Sequence, residues 1–235
     1  MKNGSFQKFE NYHKNIYRVT SPRLATFELT VRNTLKILGE KKDGQVLDIG
    51  CGCGEIDILI AQNTNFNITG CDISETALKN AQSNIEKAGL GNRIKVEEGN
   101  VFNLKYPDNF FDIILSFGYV SAATYPEATQ EVARVLKPGG FLVCDFINCL
   151  SLYKIFVSLK RVMEKKPLYY LTLSGIRRQF QKEGLVFVGQ RLFNTFPPIE
   201  GLSPNFFLGF ENTVGKVFKN FLARVRLVCF QKLDR

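Results

Sequence analysis

Val46-Leu47-Asp48-Ile49-Gly50-Cys51-Gly52-Cys53-Gly54-Glu55 is the stretch that decides the fold. Apolar residues flanking an acid lead into glycine at every second position, and a helical pattern then begins with Glu55-Ile56-Asp57-Ile58-Leu59-Ile60. The order is strand, tight turn, helix. Glycine lacks a Cβ and tolerates positive φ, so such a turn lets backbone N–H groups come close to a bound molecule. A dinucleotide would ask for G-x-G-x-x-G, but here the third glycine falls one position early, at Gly54, and Glu55 takes its place. Asp48 can accept a hydrogen bond from an ammonium group, which a pyrophosphate lacks. The stretch therefore suits a zwitterionic ligand.

Outward from this turn, strands and helices alternate, which implies parallel βαβ units. Phe66 to Asp72 reads as a second strand ending in an acid, Ser74 as a helix cap, and Leu78, Ala81 and Ile85 as one face of a helix ending near Gly89. Ile94-Lys95-Val96 is a short third strand and Phe111 to Ser116 a fourth; Pro126 to Leu136 is a helix stopped by Lys137-Pro138-Gly139-Gly140; Phe141 to Phe146 is a fifth strand. Upstream, residues 1–25 are polar and irregular, and Phe27, Val31, Leu35 and Leu38 predict a helix ending at Gly39. Beyond Asn148 the pattern changes. Leu150, Tyr153, Phe156, Val157, Leu159 and Val162 alternate with lysines and arginines, predicting a basic amphipathic helix near 150–166. A helix at Ser174 to Glu183 and strands at Leu185 to Gly189 and Val225 to Phe230 follow, with the aromatic run Phe206-Phe207-Leu208-Gly209-Phe210 between those strands.

Asp48-Ile49-Gly50-Cys51-Gly52-Cys53-Gly54 resembles motif I of the class I S-adenosylmethionine-dependent methyltransferases. The resemblance implies a Rossmann-like α/β fold: a doubly wound sheet of about seven strands, mostly parallel with an antiparallel last strand. It implies one domain over residues 1–235, with a cofactor-binding core at 26–147 and substrate lid or insertions at 148–184 and 195–222. It places Asp72 on the ribose hydroxyls and Ile73 against the adenine. Gly99-Asn100-Val101 resembles the family's Gly-Asp motif, with Asn100 in place of the commoner acid but retaining an oxygen acceptor. Leu136 to Gly140 resembles the family's turn before the fifth strand, a structural feature. The implied S-adenosyl-L-methionine contacts are Asp48, Gly50, Cys51, Gly52, Gly54, Asp72, Ile73, Asn100, Val101 and Ser116. Ser116-Phe117-Gly118-Tyr119 lacks the paired prolines found at this place in methyltransferases of nucleobase amines, which counts against that subclass.

Composition narrows the partners. The chain carries a net charge of +9, and residues 151–235 hold 15 Lys and Arg against 5 Asp and Glu, so the excess lies wholly in the last third. A basic, aromatic-rich end points to an anionic or membrane-associated substrate. The six cysteines form no C-x-x-C pair, and His13 is the single histidine, so no zinc set of usual spacing can be assembled and no metal is expected. Reduced thiols acting as small apolar residues are the expectation. The N-terminus lacks the apolar core of a signal peptide and no segment reaches the length of a membrane span, which predicts a cytoplasmic protein, with peripheral membrane contact through 150–166.

A sulfonium methyl is already activated, so positioning and exclusion of water can supply most of the acceleration, and a poor catalytic inventory is no objection. Candidates for a base are Tyr119, Asp145, Glu200 and His13. The expected activity is in-line methyl transfer to a small apolar or anionic acceptor, lipid-linked acceptors included. Two alternatives stay open: RNA methylation through the basic C-terminal third, disfavoured by the missing prolines and the lack of an RNA-binding module, and a cofactor-binding protein without catalysis.

Overall fold

The structure, a computed structural model, describes residues 21–117, 125–148, 151–152, 172–195 and 202–234. Helix α1 (Ser21–Leu38) precedes strand β1 (Asp43–Ile49), and α2 (Glu55–Gln62), β2 (Asn65–Asp72), α3 (Glu75–Lys87) and β3 (Ile94–Glu98) follow. Strand β4 (Phe111–Ser116), helix α4 (Pro126–Val135), β5 (Leu136–Ile147), α5 (Leu173–Lys182) and β6 (Leu185–Phe193) come next. Three helices, α6 (Pro204–Asn212), α7 (Val214–Val217) and α8 (Lys219–Leu222), lead into β7 (Val225–Lys232).

One seven-stranded sheet has the order β3-β2-β1-β4-β5-β7-β6. The first five strands are mutually parallel, and β7 runs antiparallel between β5 and β6. This is the doubly wound α/β sheet that the sequence implies. Its strands read as apolar runs because both faces are covered. Successive side chains point to opposite faces, so Val46 joins a core with Phe66, Ile68, Ile113 and Leu227 beneath α1, α2 and α3, while Leu47 joins Phe111, Ile114, Leu142 and Phe230 beneath α4 and α5. The strand order reverses between β1 and β4, and in such sheets ligands bind beyond the carboxyl ends at that reversal.

Local chemistry explains the boundaries. Ser74 caps α3 by accepting from the Ala77 N–H at 3.2 Å, and Gly39 and Gly89 end α1 and close α3 with φ of 66° and 68°. Of the predicted stripe on α1, Val31 and Leu38 are buried and Phe27 and Leu35 partly so, and the buried face also takes in Ala25, Leu29 and Asn33, whose amide donates to the Leu29 carbonyl at 2.7 Å. Strand β5 is longer than predicted. Leu136 already pairs with Phe111, and a register shift between Phe111 and Ile113 absorbs the Pro-Gly-Gly turn. Arg134 staples the loop after β3, donating to the Leu104 and Tyr106 carbonyls at 2.9 and 2.8 Å and to Glu131 and Asp108.

Two parts of the stretches read as lid belong to the body of the domain. Helix α5, inside 148–184, buries Ile176 and Phe180, and Phe180 lies 4.6 Å from Phe230 between ring centroids. Phe207, from the aromatic run inside 195–222, is buried in the core beneath α1. The reason is amphipathic spacing: residues at i and i+4 of α5 meet the sheet face that α5 shares with α4. The amphipathic segment 150–166 lies outside the described residues except for Ser151 and Leu152. Phe180→Ala removes a ring packed on Phe230 and should cost about 3–5 kcal/mol, read as a lower urea midpoint with an unchanged slope.

Candidate active site

The turn between β1 and α2 has Gly50, Gly52 and Gly54 at φ of 81°, 58° and 77°. The chain reverses here because only glycine holds three positive φ values so close together at little cost. The Gly50 and Cys51 N–H groups donate to the Cys71 carbonyl at 2.8 and 3.1 Å, tying the turn to the end of β2. Among the described residues, a Cβ built on Gly50 meets no atom within 4 Å, so the turn borders open space on that side. That is room for a ligand at a backbone-lined cradle.

Asp72, at the carboxyl end of β2, is set by two backbone donors. Its Oδ2 accepts from Gly52 N–H at 3.0 Å and its Oδ1 from Ser74 N–H at 2.9 Å. Each carboxylate oxygen keeps a further lone pair for a ligand hydroxyl. Asn84 of α3 donates to the Cys53 carbonyl at 3.0 Å and holds the far side of the turn. The Gly99 N–H donates to the Asp72 carbonyl at 3.1 Å, which brings the loop after β3 to the same edge. There Asn100 Oδ1 accepts from Phe102 N–H at 3.1 Å.

Asp48 and Asp57 lie beneath the cradle, both buried. Asp48 Oδ1 and both Asp57 carboxyl oxygens meet no N–H or hydroxyl group among the described residues. Burial raises both acids. Asp48 is pushed up to about 7, with the charges of Asp72 and Asp145 adding to burial and a hydrogen bond from Asp57 opposing it. Asp57 is also raised well above the usual carboxylate range, through burial and then the neighbouring Asp48 charge. The arrangement is a buried carboxyl pair joined by a hydrogen bond, in which burial disfavours the charged form of both. An arriving cation relieves this pair, and the concentration of acids along one edge favours a positively charged ligand.

Among the predicted contacts, Asp48, Gly50, Cys51, Gly52, Gly54 and Asp72 come together at this edge. Ile73 follows Asp72 directly and is partly exposed; Asn100 is exposed at the end of β3; Ser116 is buried at the end of β4. Val101 is instead buried in the core with Ile49 and Cys71. Asp145 lies near the carboxyl end of β5, close enough to raise Asp48 by its charge. Tyr119, Glu200 and His13 lie outside the described residues. The thiols of Cys51, Cys71, Cys144 and Cys229 are free and buried, with burial pushing Cys71 and Cys229 up to about 12, so they pack as neutral apolar groups.

Sequence reasoning missed two residues. Asp57 was hidden in the helix pattern, although Asp57, Ile60 and Ala61 share the buried face of α2 at helical spacing. Gly70 makes the cradle possible, since a Cβ there would stand 2.9 Å from Cys51 Cβ and Sγ and 3.0 Å from Asp57 Oδ2. Its signal is a glycine in the middle of an apolar strand.

The doubly wound sheet, the glycine turn at its reversal point and the fixed carboxylate one strand away converge on one edge of the domain. Residues 46–140 match a family described as a methyltransferase domain. A demethylmenaquinone methyltransferase of Listeria welshimeri is 34% identical over 149 residues, 58% of this chain and 62% of that relative, so the chain spans less than two thirds of its length. Among solved structures, a candidate sarcosine dimethylglycine methyltransferase from Galdieria sulphuraria superimposes with a TM-score of 0.64 at 20% identity, over 90% of this chain and 87% of the other. A geranyl diphosphate methyltransferase in complex with GPP and sinefungin gives 0.63 at 15% identity, over 88% and 77%. These likenesses show the fold.

The cradle fits S-adenosylmethionine: an open glycine turn for the backbone approach, buried acids for the ammonium and sulfonium charges, and a fixed carboxylate for the ribose. Calorimetry with Asp72→Ala should show cofactor affinity reduced by roughly a hundredfold or more, the loss of two charge-assisted hydrogen bonds; unchanged affinity would mean that the ribose binds elsewhere. The acid pair also sets a pH dependence. Asp48 is raised above its unfolded value, so between about pH 4 and pH 7 the unfolded chain ionises first and stability falls as pH rises. Asp48→Asn should therefore gain stability relative to the parent across that window, and equal slopes in urea titrations would contradict the burial argument.

Proposed function

We propose that the chain transfers the methyl group of S-adenosylmethionine to a small lipid-linked acceptor of the quinone kind. When bound, the cofactor supplies a methyl already activated on a sulfonium. Everything else falls to the chain's own residues. Asp48 would anchor the ammonium, Asp72 would hold the ribose hydroxyls, Ile73 would pack on the adenine, and Asn100 would accept from its amino group. Gly50, Gly52 and Ser116, at the ends of β1 and β4, would line the edge between them.

The observation that carries the reading is the acid-lined glycine cradle at the β1–β4 reversal, in a chain similar to proteins named demethylmenaquinone methyltransferases. The thioether product keeps the ammonium and loses only the sulfonium charge, so acids near the sulfonium would bind it less well than the donor. That difference favours turnover. Asp145 is the described candidate for a base, but in-line displacement from a sulfonium asks mainly for alignment and dry surroundings. A lipid-linked acceptor also requires contact with a membrane surface, to which the basic segment 150–166 is suited by its sequence.

The test is methyl transfer from labelled cofactor to a demethylmenaquinone and to a fractionated lipid extract. Label should enter the lipid fraction with the parent protein and not with Asp72→Ala. Label confined to RNA, or absent from every fraction while cofactor still binds, would overturn the reading.

A further inference from the structure

The chain between α6 and β7 is pinned at both ends and left bare in the middle. At one end Gly215 is buried so tightly that a Cβ there would collide with Thr195 Oγ1. At the other, Ala223 is fully buried; the Asn148 side-chain amide donates to its carbonyl at 2.9 Å, and the Asn148 N–H donates to the Arg224 carbonyl at 2.8 Å. Between these pins, Val217, Phe218 and Phe221 are 77%, 52% and 64% exposed. Backbone that is fixed while its largest apolar side chains face outward is not a core that failed to close. It is a presented surface.

Its charge is one-sided. Lys216 is exposed and Lys219 partly so, and neither forms an ion pair among the described residues. Between Leu202 and Arg224 the sole acid is Glu211, and it is buried, accepting from the Thr195 N–H and hydroxyl at 2.8 and 2.7 Å. The position is equally specific. Val225 pairs with Ile147 at the carboxyl end of β5, so the segment stands at the end of the sheet that carries the glycine cradle, where Ile147 and Leu152 are also exposed.

From these observations we infer that Val217, Phe218 and Phe221, flanked by Lys216 and Lys219, form a docking surface for an anionic lipid bilayer at the rim of the active site. The aromatic and valine side chains enter the boundary between headgroups and acyl chains, and the lysines meet lipid phosphates. A second copy of the chain fits less well. Closed twofold pairing of this surface would set lysines against lysines with no acid to receive them. The inference extends the reading of a lipid-linked acceptor, because docking here turns the cofactor end of the sheet toward the bilayer. Its test needs neither acceptor nor cofactor.

Flotation of the full chain with vesicles of phosphatidylcholine, alone or mixed with phosphatidylglycerol, should show binding to the mixed vesicles. Val217→Ser, Phe218→Ser and Phe221→Ser combined should lower it by roughly tenfold or more. Lys216→Gln with Lys219→Gln should remove most of the preference for the anionic vesicles, again roughly tenfold. These side chains are exposed, so both variants should keep the parent's circular dichroism and unfolding midpoint. An unbound parent, or a serine variant that floats like the parent, overturns the inference. So does a parent that ignores vesicles and dimerises through this surface in sedimentation. Retained flotation without methyl transfer to a lipid would sink the acceptor reading and leave the surface standing; transfer without flotation would do the reverse.

Discussion

The hydrogen bonds that join Asp72 to Gly52 and Ser74 are the constraint on which the rest of the site depends. They cross two βα turns, linking the loop after β1 to the start of the helix after β2. Because β1 and β2 are parallel and in register, with Asp48 beside Gly70 and Ile49 beside Cys71, the two turns emerge at one level. A carboxylate there satisfies two backbone donors that the helix starts and turns would otherwise leave exposed. It is thereby held still before any ligand arrives. The cost of ordering it is met in folding, so cofactor binding does not bear it again.

Glycine contributes at a distance as well as in the turn. Gly70 and Gly99 provide the space that Cys51 and Cys71 fill, since a Cβ on Gly99 would approach Cys71 Cβ to 2.7 Å. Small thiols and missing side chains interlock, drawing three strand ends close enough for their loops to share one ligand. A larger residue at any of these places would push the loops apart, and the interior is too densely packed to absorb the shift.

What the sequence made legible follows from how local each cause is. Strands β2 and β4, the Ser74 cap and the glycine ends of α1 and α3 are set by neighbours within a few residues, and they stand where the pattern puts them. The place of Asp72 was legible because the strand pattern ends on that acid one βα unit after the glycine turn. The pairing of Leu136 with Phe111 was not, since it depends on a partner strand, and neither was the burial of Asp57, whose charge argues for solvent until α2 is laid on the sheet. The same limit applies to Phe206 and Phe207. They are adjacent and alike in sequence, yet one is exposed and the other buried beneath α1, a distinction made by tertiary contact alone.

Asp57 ties stability to function most directly. Two buried carboxyls side by side are costly, because a charge on either loses water and gains little in return. A pair of apolar residues of similar shape would make a firmer domain. The structure keeps the acids beneath a turn that opens toward the ligand, and Asp48 remains ionisable near neutral pH. A cation at the cradle supplies the missing counter-charge, drawing the proton equilibrium toward the ionised form of Asp48. The stability forgone in the apo domain therefore reappears as affinity for a cationic group at the cradle, and this follows from placing the acids under the glycine turn.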